Sequence, residues 1–252
     1  MARRPRLDLA GFHHVLNRGV EKRKIFIDED DYKYFLELMC VGCLQNDINV
    51  HSYSLLSNHY HILIETKRDN LSKFMRSLNA HYASYFNRKY KRVGHLWQGR
   101  FKSWYVNDEA YLYTLIKYIE FNPIEAKMVK MLRDYKFSSY NSFLDKGKPL
   151  SCLENSLMFK NYETIKERKE FFEMDYDKDD LKMITKASNS IVSPLNKKEP
   201  SLKKLYKLLE NFETKKERNI KIKESIVLGY SQSQVAKVLG LSQPAIASIL
   251  KK

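Results

Sequence analysis

Apolar positions along the chain recur at two spacings, and the elements follow from where one gives way to the other. Phe12 to Arg18 reads as a strand that Gly19 breaks. From Asp28 to Leu44 the residues Tyr32, Phe35, Leu36, Met39 and Cys43 recur at helical spacing. The acids Asp28, Glu29, Asp30 and Asp31 crowd the first turn, where the helix dipole favours negative charge. Two strand-like runs follow, Ile48 to Leu55 and His59 to Thr66, with Ser57-Asn58 as a tight turn between them. Asn70 to Lys91 returns to the helical period, with Leu71, Phe74, Leu78, Tyr82, Tyr85 and Phe86 on one stripe. Gly94 to Val106 reads as extended and carries Trp97, Phe101, Trp104 and Tyr105. Asn107 to Asn122 is a helix with Asp108 and Glu109 at its start. Pro123 is expected to end or kink it, since proline removes a hydrogen bond and disfavours helix at the residue before it. Glu125 to Arg133 reads as one more helix.

Short, half-polar strands interspersed with helices predict an α+β fold, a small antiparallel sheet flanked by helices, with the helices expected on one face. Three segments are expected: a sheet-bearing domain over 1–145, a helical extension and linker over 146–200, and an all-α unit over 201–252. Within the second, Asp175 to Asp180 is acidic, and Ala187 to Ser201 is rich in Ser, Asn, Pro and Lys and reads as a linker.

Charge narrows the partner. The formal net charge is +15, from 45 Lys+Arg against 30 Asp+Glu, which favours a polyanion, nucleic acid foremost. No apolar run approaches the ~20 residues of a membrane helix, and Met1-Ala-Arg-Arg-Pro-Arg6 lacks the apolar stretch of a secretory signal. A cytoplasmic, nucleoid-associated protein without a membrane partner is expected. The three cysteines, Cys40, Cys43 and Cys152, cannot build a disulfide framework and fit a reducing compartment. Cys40-x-x-Cys43 is read as core packing.

Two constellations carry candidate chemistry. In His59-Tyr60-His61 the histidines are two apart on a strand, so both imidazoles share a face and can approach one metal ion while Tyr60 points the other way. In Tyr118-x-x-x-Asn122 the two residues are four apart on a helix and share a face, so the Asn122 amide oxygen can complete a cation site beside the Tyr118 phenol. By themselves these patterns leave a buried strand and a core tyrosine as the alternative, since the chain has seven histidines and 17 tyrosines. His81 and His95 lack a partner at ligand spacing. Packing is the expectation for His13 and His14 too, although one of them can face the site, and Glu65 and Lys117 are given structural and solvated roles.

Four motifs stand in order over about 110 residues: Phe12-His-His-Val-Leu-Asn-Arg-Gly19, Leu56-Ser-Asn-His-Tyr-His-Ile-Leu63, Gly94-His-Leu-Trp-Gln-Gly-Arg-Phe101 and Tyr118-Ile-Glu-Phe-Asn-Pro123. Through them residues 12 to about 145 resemble the single-tyrosine HUH transposases (IS200-like), and within these the REP-associated tyrosine transposases. The resemblance implies that His59, His61 and Asn122 bind a divalent cation, Mg²⁺ or Mn²⁺, and that Tyr118 is the nucleophile. It also implies a small antiparallel sheet with flanking helices, and a monomer or a homodimer as the working form.

Between Arg88 and Lys102 the cations Arg88, Lys89, Lys91, Arg92, Arg100 and Lys102 occur with no acid and alternate with Tyr90, Trp97 and Phe101, a composition suited to single-stranded DNA. Arg3, Arg4 and Arg6 can form a phosphate-binding arm. Near the C-terminus, Gln232 to Ile249 looks like a helix-turn-helix: Val235, Ala236 and Leu239 inside the first helix, Gly240 at the turn, Ser242 as cap, and Gln243, Ala245 and Ser248 toward a major groove of duplex DNA. A docking or dimerisation module is the alternative. The expected function is a metal-dependent enzyme that nicks and rejoins single-stranded DNA next to a hairpin through a 5′-phosphotyrosine. The alternative is a domesticated, non-catalytic DNA-binding regulator.

Overall fold

The computed structural model describes residues 8–106, 109–145, 149–174, 202–212, 214–228, 230 and 232–250, a few of them by backbone alone. They fall into two compact units, one within Leu9–Ile191 and one that groups Val192–Lys252 with Met1–Asp8. Arg3, Arg4, Arg6, the acidic stretch Asp175 to Asp180 and the linker Ala187 to Ser201 lie outside the described residues, as does the side chain of Gln243.

In the first unit, β1 (Gly11–Arg18), β2 (Ile48–Leu56), β3 (His59–Thr66) and β4 (Lys102–Val106) form one antiparallel sheet in the order β2-β3-β1-β4. Helices α1 (Glu29–Asn46), α2 (Leu71–Lys89) and α3 (Glu109–Glu125) complete the frame. Asp28 caps α1: its side chain accepts from the Asp31 N–H while the Asp31 carboxylate accepts from the Asp28 N–H, so two orphan donors are satisfied reciprocally.

Register decides which residues share a face, because directly paired residues project to the same side. Val15 pairs with Ile62, and Ile62 with Tyr53; this face carries α1 and α2. Here the Tyr60 ring lies 5.0 Å from that of Phe35, and its hydroxyl donates to Asn79 Oδ1 at 2.9 Å. On the other face Leu16 pairs with His61, and His14 with Leu63 and Trp104; α3 packs there. The helices therefore cover both faces rather than the expected one. The consecutive run Ile62, Leu63, Ile64 is wholly buried, which a one-sided sheet does not permit.

Three other expectations change. Helix α3 runs through Pro123, because the missing N–H frees a single carbonyl close to the helix end. It stops when Lys127 turns left-handed (φ 56°) and the Met128 N–H bonds back to Pro123 O at 2.9 Å. No helix then spans Glu125 to Arg133; only Leu132–Asp134 forms a 3-10 turn. Of Gly94 to Val106 only β4 is a strand, since Gly94 and Gly99 hold φ of 96° and 158°.

The described part of 146–200 contributes to the same core. With α4 (Tyr140–Leu144), α5 (Leu157–Asn161) and α6 (Ile165–Glu173), it buries Leu153, Met158, Phe171 and Phe172. The Ser156 hydroxyl donates to His51 O at 2.8 Å on β2, and Cys152 is joined to Cys40 of α1 by a disulfide. Cys40 is thus not the free packing residue expected; only Cys43 is a free, buried thiol among the described cysteines. The bridge closes a loop across 112 positions, so reduction is expected to lower the unfolding free energy by about 2–4 kcal/mol. Urea denaturation with and without reductant measures this, with Cys152→Ser as the reductant-insensitive control. Superimposable curves would mean that the bridge contributes nothing.

The second unit has α7 (Leu202–Leu209), α8 (Lys215–Val227), α9 (Gln232–Leu239) and α10 (Gln243–Ile249) around Leu205, Leu209, Ile222, Ile226, Val235 and Ile246. Gly240 (φ 64°) turns the chain between α9 and α10, and Ser242 caps α10 by accepting from the Ala245 N–H at 3.3 Å. No described helix is long and apolar enough to cross a membrane.

Candidate active site

The site lies on the sheet face that carries α3. Strand β3 places His59 and His61 two residues apart on that face, with ring centroids 5.2 Å apart. From α3 the half-buried Tyr118 sets its ring edge-on to His61 at 5.7 Å. One turn later Asn122 donates its amide N–H to the Tyr118 carbonyl at 2.7 Å, so its amide oxygen is the end left to accept. The strand pair and the tyrosine helix, 57 positions apart from His61 to Tyr118 in the chain, thus meet at one place.

Sequence reasoning gave little weight to the third imidazole. His14 is buried in β1, its Nε2 lies 2.9 Å from His61 Nδ1, and its ring centroid is 5.2 Å from those of His61 and Trp104 and 6.0 Å from that of Tyr118. Asn58, in the turn before β3, sets its Oδ1 2.6 Å from His59 Nδ1. Arg18 pairs with His59 across the strands, and its Nε donates to Gln98 Oε1 at 2.8 Å. The available signal was the period of two along β1, which puts His14, Leu16 and Arg18 on one face; only register says that it is the site's face.

Electrostatics suit a ligand pair. Burial lowers the His59 pKa to about 4, with the Arg18 charge adding to the effect. Burial, then His14 and His59, hold His61 well below its ordinary value, and burial brings His14 to about 3. All three rings are therefore neutral at pH 7, the form in which imidazole offers a lone pair to a metal. Two neutral imidazoles, with the Asn122 amide one helical turn beyond Tyr118, are donors of the kind that fits a divalent cation with open positions for phosphate. No group of three His, Cys, Asp or Glu able to hold a metal occurs among the described residues.

The basic segment divides. Arg88, Lys91 and Arg100 are exposed and Lys102 is half-buried on β4. Lys89 does not belong with them: its Nζ is held by Asp28 Oδ1 at 2.7 Å and Asp31 Oδ1 at 2.9 Å. Arg92 donates to Asn87 Oδ1 at 3.3 Å and lies over the Phe86 ring. Trp97 packs on the core, its Nε1–H donating to Asn79 O at 2.9 Å, and Phe101 is buried. Lys117 is not a solvated cation but a buried one, donating to Met174 O at 2.7 Å above the Phe171 ring. Glu65 accepts from Asn49 and His51, the structural role expected of it. In the second unit Ser248 is exposed on α10.

A solved structure of a REP-associated tyrosine transposase bound to a REP hairpin is similar to this chain at 17% identity and a TM-score of 0.49, covering 60% of this chain and 90% of that one. No curated protein matches. Residues 11–122 match the family model described as transposase, IS200-like, a span that opens on β1, takes in the whole sheet and ends on Asn122. Over those residues the chain is similar to the IS200-like transposases.

Proposed function

We propose that the protein is a metal-dependent enzyme that nicks and rejoins single-stranded DNA beside a hairpin, with Tyr118 as nucleophile. The observation that carries this is the meeting of Tyr118 with His61 and His59 on one sheet face, Tyr118 edge-on to His61 at 5.7 Å. His59, His61 and Asn122 would hold Mg²⁺ or Mn²⁺. When bound, the cation supplies positive charge to the scissile phosphate and to the oxygen that departs. The Tyr118 phenolic oxygen bonds to phosphorus as the P–O3′ bond breaks. The phenol loses its proton and the 3′ oxygen gains one, which leaves a free 3′-hydroxyl and a 5′-phosphotyrosine. One phosphodiester replaces another, so the 3′-hydroxyl can reverse the step without an energy source.

DNA is held elsewhere by exposed cations. Arg88, Lys91 and Arg100 lead toward the site: the Gln98 N–H bonds Arg18 O at 2.9 Å, so the loop reaches the strand position paired with His59. Arg3 and Arg4 are assigned a phosphate contact of their own. Lys89 and Trp97 are left out, because their polar groups are satisfied inside the protein, whereas Arg92 commits one N–H to Asn87 and keeps the rest of its fork for phosphate. The second unit is assigned a helix-turn-helix role on duplex DNA, with Gln243 and Ser248 reading base edges. Its support is the buried Val235, Ala236 and Ile246 around the Gly240 turn.

Incubating the full chain with Mn²⁺ and end-labelled hairpin-bearing single strands tests the enzyme reading. A covalent adduct that survives denaturing gels and disappears with chelator is the expected result. Tight binding without an adduct, across many hairpins and both metals, would instead favour a regulator.

A further inference from the structure

Each histidine of the pair has one ring nitrogen already engaged, and in both it is Nδ1. At His59 the partner is Asn58 Oδ1 at 2.6 Å. The Asn58 amide is oriented by its own second bond, since its Nδ2 donates to Lys22 O at 3.1 Å. The end that meets His59 is therefore the carbonyl oxygen, which can only accept. The His59 proton is then on Nδ1, and Nε2 carries the lone pair. At His61 the partner is His14 Nε2 at 2.9 Å. A hydrogen bond between two imidazole nitrogens needs one donor and one acceptor, and the arrangement that leaves His61 Nε2 free has His14 accepting. The orientation of the His14 ring is set by packing against Trp104 on one strand and His61 on another. Strand pairing directs His14 to this face, opposite Leu63 and Trp104.

We propose that His14 and Asn58 are positioning residues for the cation site: each accepts the Nδ1–H of one histidine, so that His59 and His61 both present Nε2 to the ion. This rests on reading His59 and His61 as ligands. The physical need is plain. A neutral imidazole in water prefers its proton on Nε2, so an unassisted histidine must move that proton before it can bind through Nε2. It also keeps a free χ2 rotation. An outer acceptor at Nδ1 removes both costs and raises ligand basicity. The two acceptors come from different elements, the β2–β3 turn and β1, so each histidine is oriented independently.

Two measurements test this. Long-range ¹H–¹⁵N spectra of the metal-free full chain at pH 7.5 should show His59 and His61 as Nδ1–H tautomers; an Nε2–H tautomer at either overturns the proposal without any variant. Calorimetric Mn²⁺ titration without DNA should show His14→Phe and Asn58→Ala weakened about 10–100-fold. His14→Gln and Asn58→Asp, which keep an acceptor oxygen, should stay within a few-fold of the parent. His59→Ala and His61→Ala separate the two readings. If both bind Mn²⁺ like the parent, the ligand reading fails and this inference with it. If both lose Mn²⁺ while His14→Phe and Asn58→Ala stay within about two-fold of the parent, only the positioning role is overturned. Should His14→Phe not fold, Asn58→Ala and the tautomer spectra of the parent decide the case.

Discussion

Tyr118→Phe is expected to remove covalent DNA capture, a fall on the order of 10³-fold or more, while leaving hairpin binding within about two-fold. The substitution deletes one oxygen and keeps the ring that packs edge-on against His61 at 5.7 Å and His14 at 6.0 Å. Packing on the sheet face should therefore survive, and circular dichroism should show an unchanged fold. A phenol has an ordinary pKa of about 10, so its oxygen needs help to attack at neutral pH. The rings of His61 and His14 beside it are neutral rather than cationic. Under the proposed function a bound cation supplies charge at the scissile phosphate, so capture is expected to fall with chelator as well as with loss of the hydroxyl. The measurement is denaturing gel analysis of labelled hairpin strands with parent and variant. Adducts formed by Tyr118→Phe at the parent's level would sink the assignment and send the search to the other tyrosines.

Much of this was legible along the chain, for reasons that differ by residue. The period of two puts His59 and His61 on one face whatever else the strand does, and the runs read at Ile48 to Leu55 and His59 to Thr66 are β2 and β3 almost to the residue. A helical stripe and a cluster of acids fix α1 in the same local way. What the chain hid was whatever depends on a distant partner. Lys89 reads as a free cation because Asp28 and Asp31, which bind it, are 61 and 58 positions away. Trp97 reads as a base-stacking platform because its acceptor, Asn79 O, sits on another element. Cys40 and Cys152 are 112 positions apart, and spacing alone does not pair them. His14 needed strand register, which is a tertiary fact. Pro123 misled in the opposite sense. The local rule is right about the lost hydrogen bond, but its position near the helix end makes the loss small.

Glu120 carries the second large effect, and it shows how the tyrosine helix is held. It lies between Tyr118 and Asn122, fully buried, and accepts from Ser52 Oγ at 2.7 Å, from Ser139 Oγ and from the Tyr140 N–H at 2.9 Å. Ser52 is on β2, two residues from the Ser54 that pairs with His61, so this carboxyl ties α3 to the sheet beside the histidines. Burial pushes its pKa up to about 7 from an ordinary 4.5, against the pull of those donors. The folded state thus keeps the proton to higher pH than the unfolded chain. The Glu120 contribution is fully present below about pH 4.5, declines as pH rises to about 7, and is level beyond. At 1.36 kcal/mol per unit the decline is roughly 3 kcal/mol. The buried neutral histidines act in the opposite sense: their lowered pKa values mean that stability is gained as pH rises toward 6.5. The total profile therefore mixes the two, and the difference between parent and Glu120→Gln isolates the carboxyl. Gln mimics the protonated acid, with Oε1 for the Tyr140 N–H and an amide nitrogen toward the serine hydroxyls. The variant should match the parent at pH 4.5 and exceed it by roughly 3 kcal/mol at pH 8. Glu120→Ala, which strands the Tyr140 N–H and leaves a cavity, should cost about 2–4 kcal/mol at pH 5. Because it also frees α3 from β2, it should lower covalent capture even where the fold persists. Urea denaturation at the two pH values checks the first claim. A parent-minus-Gln difference that does not change with pH would mean that Glu120 is ionised throughout, with the three donors outweighing burial.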